Sequence, residues 1–288
     1  MTIRLRDALA EILEGWPADV DPAWRSLAEN VALGFDAVSP DLAIDPWEPV
    51  FPSRRGRRFP GAPAGAHMLR AFDGLAPERV RCVILGQDPY PCPAFATGRA
   101  FEAGNVARWR ELEKIFSCSI RTLLQLIAAV HSGDARYAAG TAAWARVIAG
   151  IEDGTLVLAP PGALVERWVA QGVLALNASL TLSRFAVEIG PHQRQGHLPL
   201  WRPLMLAVLR SLASRGDGPI VFLGFGDVAA DLLSEAGLTG IARPGLHCIL
   251  RDHPAVGDAI LALPNPLRLA NDWLASHGAS PIDWGCPN

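Results

Sequence analysis

The sequence has 288 residues, half of them apolar, and a formal net charge of −3. A chain of this size can bury a large core, since a domain of about 300 residues hides roughly 75% of its unfolded surface. The charge balance is not that of a strongly basic nucleic-acid binder, and no apolar run approaches the ~20 residues of a membrane helix. The five cysteines are scattered without a C-x-x-C pair, which argues against a disulfide framework, a zinc site or an iron–sulfur cluster.

The first quarter of the chain is predicted to be helical and then irregular. Residues 1–45 have helical periodicity, and the first of these helices is amphipathic and charged, unlike a signal peptide, so we expect a cytoplasmic protein. Residues 46–66 are rich in Pro, Gly and Arg and are expected to form a surface loop. A short helix is predicted at 67–75. The apolar run at 80–86 has the pattern of a strand buried on both faces.

Strands and helices then alternate to the end of the chain. Further helices are predicted at 107–116, 119–130, 163–172, 202–216, 227–237 and 268–278. Further strand-like segments lie at 155–161, 173–183, 219–226 and 247–254. This alternation predicts an α/β fold with a central, mostly parallel four-stranded sheet and helices on both faces. We expect a single domain over 1–288, in which N-terminal helices and an Arg/Pro-rich loop (1–79) precede the α/β core (80–288).

Polar or glycine-bearing segments follow four of the predicted strands. These segments are GQDPY at 86–90, NAS at 177–179, FGD at 225–227 and DHP at 252–254. Ligands of parallel sheets bind where the carboxyl ends of the strands meet. We therefore expect Asp88, Asn177 and His253 to converge at one edge of the sheet.

In this order, GQDPY, LNASLT (176–181), VFLGFG (221–226) and the late HP dipeptide resemble the family 1 uracil-DNA glycosylases. The resemblance spans most of the chain, from VFPSRR at 50–55 to ANDWL at 270–274. It implies a monofunctional DNA-repair enzyme that hydrolyses the N-glycosidic bond of deoxyuridine in DNA. Such an enzyme releases uracil, leaves an abasic site and needs no metal or cofactor. Its partner would be uracil-containing DNA, single- or double-stranded, and it would act as a monomer away from membranes.

The resemblance assigns catalytic roles to two side chains. Asp88 matches the aspartate that orients the attacking water and stabilises the positively charged sugar of the transition state, so it must stay ionised. His253 matches the histidine that donates a hydrogen bond to uracil O2, where negative charge builds as the bond breaks. Without the motif, Asp88 would be interpreted as a turn cap and His253 as an ordinary loop histidine.

Four more residues match the uracil pocket. The amide of Asn177 offers one donor and one acceptor, which suit the O4 and N3–H of uracil. Tyr90 matches the tyrosine that fills the space beside C5 and excludes the methyl group of thymine. Phe101 matches the phenylalanine that stacks on the base, and Gln87 is expected to contribute backbone contacts. The structural alternatives are a turn asparagine and two core aromatics.

The expected DNA-binding residues depart from the family pattern. Where the family continues HP with Ser-Pro-Leu, this chain has HPAVGD, so Gly257 stands at the position of the leucine that wedges into the base stack. Gly257 cannot act as a wedge, and its neighbour Val256 is short. Ser119 matches a phosphate-binding serine but lacks the prolines before it. Gly226 is followed by Asp227 rather than serine, and an aspartate repels a nearby phosphate.

The segment at 183–200 is longer than is usual in the family. It carries Arg184, His192, Arg194 and His197, and we hypothesise that the segment lies along the DNA. His197 best fits the family's histidine before a tryptophan. An ordinary solvated loop is the alternative interpretation. The arginines of the 54–58 cluster are candidates for phosphate contacts or for a merely charged surface.

The sequence thus predicts an intact uracil pocket beside an altered DNA-binding surface, in an atypical family member that lacks the intercalating leucine. We expect weak binding of the phage inhibitor protein that captures this leucine in typical members. Three alternatives stay open. They are a DNA- or uracil-binding module without efficient catalysis, a glycosylase of another branch with broader base choice, and a small-molecule α/β enzyme, although no G-x-G-x-x-G or P-loop motif supports the last.

Overall fold

The computed structural model describes residues 2–240 and 243–285, so Cys286 lies outside the described residues. Its strands are β1 (Ile3–Arg4), β2 (Ala43–Ile44), β3 (Cys82–Gly86), β4 (Val173–Asn177), β5 (Ile220–Phe225) and β6 (Leu246–Arg251). The short strands β1 and β2 form an antiparallel pair. The other four form a parallel sheet with the strand order β4-β3-β5-β6. The predicted α/β fold with a four-stranded parallel sheet is confirmed.

Helices cover both faces of this sheet. They are α1 (Leu5–Ile12), α2 (Pro22–Glu29), α3 (Cys118–Ser132), α4 (Trp144–Asp153), α5 (Pro161–Ala170), α6 (Leu198–Ala213), α7 (Asp227–Glu235), α8 (Asp258–Leu261) and α9 (Pro266–Ser276). Side chains of a strand alternate between its two faces. Val83 and Leu85 of β3 therefore join the core formed with α1, α2, α6 and α7. Cys82 and Ile84 join the core formed with α3, α4 and α9.

Three local predictions differ from the structure. Residues 155–161 do not form a strand: 155–160 are irregular and lead into α5, because Pro160 and Pro161 cannot donate ladder hydrogen bonds and proline suits the first turn of a helix. The helices expected at 67–75 and 107–116 are only short 3₁₀ turns, at Arg70–Phe72 and Trp109–Lys114. Within the described ranges, no helix has the length and apolar character needed to cross a membrane.

The strand register gathers the polar strand ends at one edge of the sheet. Gly86 of β3 lies opposite Asn177 of β4, and the N–H of Gly226 donates to the carbonyl of Arg251 at 2.8 Å. Gly86 lacks a side chain at a place where there is no room for one, since a Cβ there would lie 2.7 Å from Oδ1 of Asn177. The backbone of β3 can therefore approach the Asn177 amide closely.

Candidate active site

A cavity of about 520 Å³ lies at the carboxyl edge of the sheet. It brings together most of the site residues predicted from the sequence, namely Gln87, Asp88, Tyr90, Phe101, Ser119, Asn177, Gly226, His253 and Val256. Gly257, Arg184, Arg194 and His197 are not part of its lining. The predicted base pocket is therefore one continuous space, whereas the predicted DNA contacts are dispersed.

Asp88 presents one oxygen to protein donors and keeps the other free. Oδ2 accepts hydrogen bonds from Nε2 of Gln87 and from Nε2 of Gln193, each at 2.7 Å. Oδ1 is enclosed and has no partner among the described residues. Burial raises the pKa of the Asp88 carboxyl above its ordinary value, and the two amide hydrogen bonds oppose this shift. Oδ1 is thus the carboxylate oxygen that no donor of the described residues occupies.

The hydrogen bonding of His253 defines which ring nitrogen carries the proton. His253 caps the short turn Pro254–Val256, and its Nδ1 accepts from the backbone N–H of Ala255 at 3.2 Å. A nitrogen that accepts carries no proton, so the proton of the neutral ring is on Nε2. Burial lowers the pKa of His253, which favours this neutral form. His253 thus offers a neutral N–H donor.

Gly226 makes room for this histidine. Its φ is +87°, and a Cβ there would lie 3.1 Å from Cβ of His253. The next residue, Asp227, occupies the first turn of α7, where a carboxylate interacts favourably with the helix dipole. The structure therefore gives Gly226 a packing role, and it places negative charge at the end of α7 that faces the cavity.

Asn177 and two aromatic rings complete the walls. Asn177 is buried, and no group among the described residues hydrogen-bonds its side-chain amide. Phe101 is held at a φ of +57°, which costs energy for a bulky residue, and its ring lies edge-on to Phe225 at 5.4 Å. The hydroxyl of Tyr90 is enclosed without a partner, and burial raises its pKa, so the ring stays neutral. Free amide donors and acceptors beside two rings suit a planar, uncharged heterocycle.

The turn after His253 has little room for a larger side chain. Gly257, which the sequence resemblance aligns with a DNA-inserting leucine, has φ +46° and ψ −92°. A Cβ at this position would lie 2.4 Å from Cγ2 of Thr141. Val256 is 55% exposed and lies at the cavity.

An exposed apolar rim, formed by Phe116, Phe185 and Val187, lines the same cavity. Their exposed fractions are 52%, 39% and 76%, and the rings of Phe116 and Phe185 meet edge to face at 5.6 Å. None of these three residues was among those predicted from the sequence. Phe116 precedes α3 and Phe185 follows β4, so no periodicity in the sequence links the two loops.

The segment at 183–200 is only partly available for DNA. Arg184 forms a two-pronged ion pair with Glu48, at 2.5 and 2.7 Å. Arg194 is exposed and has no ion-pair partner in the described part of the chain. His197 is fully buried, its Nδ1 lies 2.9 Å from Oγ1 of Thr181, and its Nε2 lies 2.8 Å from a serine hydroxyl. Burial lowers the pKa of His197 to about 3, so this neutral side chain supports the fold and is not placed to contact DNA.

The 54–58 cluster is likewise partly neutralised. Arg54 pairs with Asp19 at 2.6 Å and Arg55 with Asp73 at 2.5 Å. Across 2–240 and 243–285, no group of three or more His, Cys, Asp or Glu side chains could hold a metal ion.

The fold and this cavity define a class of α/β proteins with a carboxylate, a neutral histidine and an amide around one cavity at the carboxyl edge of a parallel sheet. Comparisons of sequence make the class more specific. The chain is 30% identical to the uracil-DNA glycosylase of Exiguobacterium sibiricum over 233 residues, which covers 77% of this chain and 83% of that protein. It is 29% identical to the uracil-DNA glycosylase of Parafrankia sp. and 28% identical to that of Mycobacterium tuberculosis, over 97% of this chain and 98% of each relative.

Solved structures have the same fold. The wild-type UNG crystal structure from Nitratifractor salsuginis superimposes with a TM-score of 0.58 at 23% identity, and it covers 91% of this chain and 94% of that one. A mimivirus UNG variant in complex with UGI superimposes with a TM-score of 0.59 at 16% identity, over 95% and 94%. No protein-family model matches the chain. The chain belongs to the uracil-DNA glycosylase family.

Proposed function

We propose that this protein is a monofunctional uracil-DNA glycosylase that hydrolyses the N-glycosidic bond of deoxyuridine in DNA. The observation that carries the proposal is the shared cavity, which is lined both by a carboxylate with one unpartnered oxygen and by a histidine whose Nδ1 already accepts a hydrogen bond. Membership of the family supports the reaction class. The whole chain, 1–288, would act as one domain, since both cores are built on the same sheet.

Asp88 would act on the sugar side of the bond. As the bond between C1′ and N1 breaks, its electron pair moves to the uracil ring and the sugar becomes a cation. An ionised carboxylate stabilises that cation, and Oδ1 orients the water whose oxygen attacks C1′. The water's proton passes to the carboxylate as the new C–O bond forms. The carboxylate then passes this proton to the uracil anion, so Asp88 returns to its ionised form and the products are an abasic site and neutral uracil.

His253 would act on the base side. The electron pair that arrives on the ring concentrates charge on O2, and the Nε2–H of a neutral imidazole donates to that oxygen. A donor of this kind binds the transition state more tightly than the substrate, and removal of one costs about 10²–10³ in rate. Because the ring is neutral, no net positive charge has to be buried in the unliganded site.

Base selection would depend on the remaining walls. Asn177, with its unbonded amide, pairs with O4 and N3–H of uracil, whereas cytosine presents the opposite pattern. Phe101 stacks on the base, and Tyr90 occupies the space that the methyl group of thymine would need. Gln87 contributes through its side-chain bond to Asp88 as well as through its backbone.

On the DNA side, we propose that the protein lacks an inserting leucine and uses its apolar rim instead. Phe116, Phe185 and Val187 offer exposed apolar surface at the mouth of the cavity, beside Val256. Stacking against an aromatic side chain is worth about 1–3 kcal/mol per base, which offsets part of the few kcal/mol that base extrusion costs. Ser119, Gly226 and Arg194 remain candidate phosphate contacts.

Uracil release from matched single- and double-stranded oligonucleotides tests the function. We expect release by the wild type and a loss of several orders of magnitude in Asp88→Asn. Asp41→Asn is a matched control, because Asp41 is exposed and distant in the chain from the cavity. Tight binding of uracil-containing DNA without release by the wild type would instead favour a binding module.

Titration with the phage inhibitor UGI tests the altered DNA surface. A crystal structure shows UGI in complex with a mimivirus UNG variant. For this chain we expect weak inhibition, since Gly257 has no side chain for the inhibitor to capture. Stoichiometric, tight inhibition would refute the proposal that the leucine position is functionally altered.

A further inference from the structure

A buried glutamine on the segment at 183–200 contacts the proposed catalytic carboxylate. Gln193 lies in the π-helical turn Gln193–His197 and is fully buried. Its Nε2 donates to Oδ2 of Asp88 at 2.7 Å across 105 positions of sequence. Gln193 was not among the residues predicted from the sequence, because nothing in the motif order links it to GQDPY.

Two backbone groups determine the orientation of this amide. Oε1 of Gln193 accepts from the N–H of Ala186 at 2.9 Å and from the N–H of Gly190 at 3.0 Å. Since both neighbours are donors, the oxygen must face them and the NH₂ group must face Asp88. The side chain therefore joins the loop at 186–190 to the carboxylate.

The hydrogen bond from Gln193 to Oδ2 of Asp88 leaves the other carboxylate oxygen, Oδ1, without a protein donor. Gln87 also donates to Oδ2, so both protein donors lie on the same oxygen. The carboxylate is thus held in one rotamer with Oδ1 directed away from the amides. Burial raises the pKa of Asp88, and each amide donor favours the ionised form.

We propose that Gln193 is a positioning residue that orients Asp88, favours the ionised form of its carboxylate and connects it to the exposed loop that carries Val187. This inference rests on the proposed function for its catalytic meaning. The contact itself does not depend on that function, because its geometry and its effect on Asp88 can be measured in the unliganded protein.

Other titratable groups near the site must be separated from this effect. Those that line the same cavity are Tyr90, Arg99, Glu102, Cys118, Asp227, Asp252 and His253. His192 and His197 flank Gln193 within the segment. None of these groups forms an ion pair or a hydrogen bond with the Asp88 side chain among the described residues, so an assay specific to the Asp88 carboxyl is needed.

The experiment compares Gln193→Met with Gln195→Met. Methionine has the length of glutamine but no N–H donor, and Gln195 is an exposed residue of the same turn. The carboxyl of Asp88 is followed by ¹³C NMR in protein labelled at aspartate Cγ, with Asp88→Asn identifying the signal. The pH dependence of uracil release is measured for the same variants, and circular dichroism verifies that each is folded.

We expect Gln193→Met to raise the pKa of Asp88 by about one unit, as loss of one hydrogen bond to a charged group implies. The acidic limb of the activity profile should move to higher pH by a similar amount, while Gln195→Met matches the wild type. Gln193→Glu keeps the volume and should move both quantities further in the same direction, because it places a second carboxyl beside the first. Gln193→Glu is the alternative test variant if Gln193→Met does not fold.

A uniform loss of activity with no shift of the NMR pKa in either variant would overturn the inference and leave Gln193 a packing residue. If the wild type releases no uracil but the NMR pKa moves as expected, the proposed function fails and the placement of Asp88 by Gln193 stands. Release by the wild type without an NMR shift refutes the inference alone.

Discussion

Substitution of Gly257 by alanine should destabilise the protein because of two separable effects. A residue with a side chain is strained at φ +46°, ψ −92°, and strain of this kind costs about 1–3 kcal/mol. The new Cβ would also lie 2.4 Å from Cγ2 of Thr141, whereas the next nearest atom is 3.8 Å away. Overpacking typically costs a further ~1–3 kcal/mol. We therefore expect a loss of roughly 2–6 kcal/mol in the free energy of unfolding.

A double-mutant cycle separates these effects. Thr141→Ser removes the methyl group that the new Cβ would meet and keeps the backbone N–H that donates to Asp258 at 2.6 Å. In the serine background, Gly257→Ala should cost only the strain, so the two substitutions should couple by about 1–3 kcal/mol. Gly133→Ala is the matched control, since Gly133 also has a positive φ, of +74°, with nothing within 4 Å of its Cβ position.

Urea unfolding at 25 °C measures all four members of the cycle and the control. Near-zero destabilisation by Gly257→Ala, or strict additivity with Thr141→Ser, would refute the geometry on which this reasoning depends. If the cycle behaves as expected, a leucine cannot be restored at 257 by one substitution, because it would meet the same neighbour and the same backbone conformation.

Three further predictions concern the site and its support. Asp88→Asn should raise the free energy of unfolding at pH 7.5, because a carboxyl whose pKa is raised in the folded state destabilises the fold while it is ionised. This gain in stability should shrink as the pH falls through the folded pKa. Urea unfolding midpoints measured at several pH values test both statements. The folded pKa of His197 is lowered from 6.5 to about 3, so wild-type stability should fall below pH 6.5 by up to roughly 4–5 kcal/mol, and His197→Gln should flatten that dependence in the same assay. Gly86→Ala should displace the Asn177 amide, because the new Cβ would lie 2.7 Å from Oδ1 of Asn177. We expect kcat/KM for uracil release to fall at least tenfold in steady-state kinetics, while the protein stays folded. Unchanged kinetics would contradict the pocket geometry.

The sequence was most informative where periodicity and strand order decide the structure. The apolar run that became β3 is buried on both faces because a parallel sheet has helices on both sides. The convergence of Asp88, Asn177 and His253 on one cavity followed from the rule that the carboxyl ends of parallel strands share an edge. Motif order alone was sufficient for these elements.

Features that depend on side-chain direction were not predictable in this way. Gln193 reaches Asp88 only because its turn is wide and two backbone N–H groups orient its amide. The same turn buries His197, which the sequence analysis had placed along the DNA. The prediction of a strand at 155–161 was wrong for a local reason, because the two prolines of this segment lie at the start of α5.

The distribution of charge limits how this protein can hold DNA. Arg54, Arg55 and Arg184 each face a carboxylate, so much of their charge is neutralised before any phosphate approaches. Phosphate contacts normally dominate affinity for DNA. The pairing of these three arginines, together with the exposed rim at Phe116 and Phe185, instead favours contacts to bases, which depend less on salt. We therefore expect a shallower salt dependence of binding than the basic residues of the chain would suggest.

The choice of donors around Asp88 follows from the charge that the proposed reaction develops. A guanidinium beside the carboxylate would keep it ionised more strongly than an amide does. It would also place a positive charge next to a sugar that becomes positive in the transition state, and so would cancel part of the stabilisation. The neutral donors Gln87 and Gln193 favour the ionised carboxylate without adding positive charge. The raised pKa of Asp88 is then the cost of keeping its negative charge fully available to the substrate.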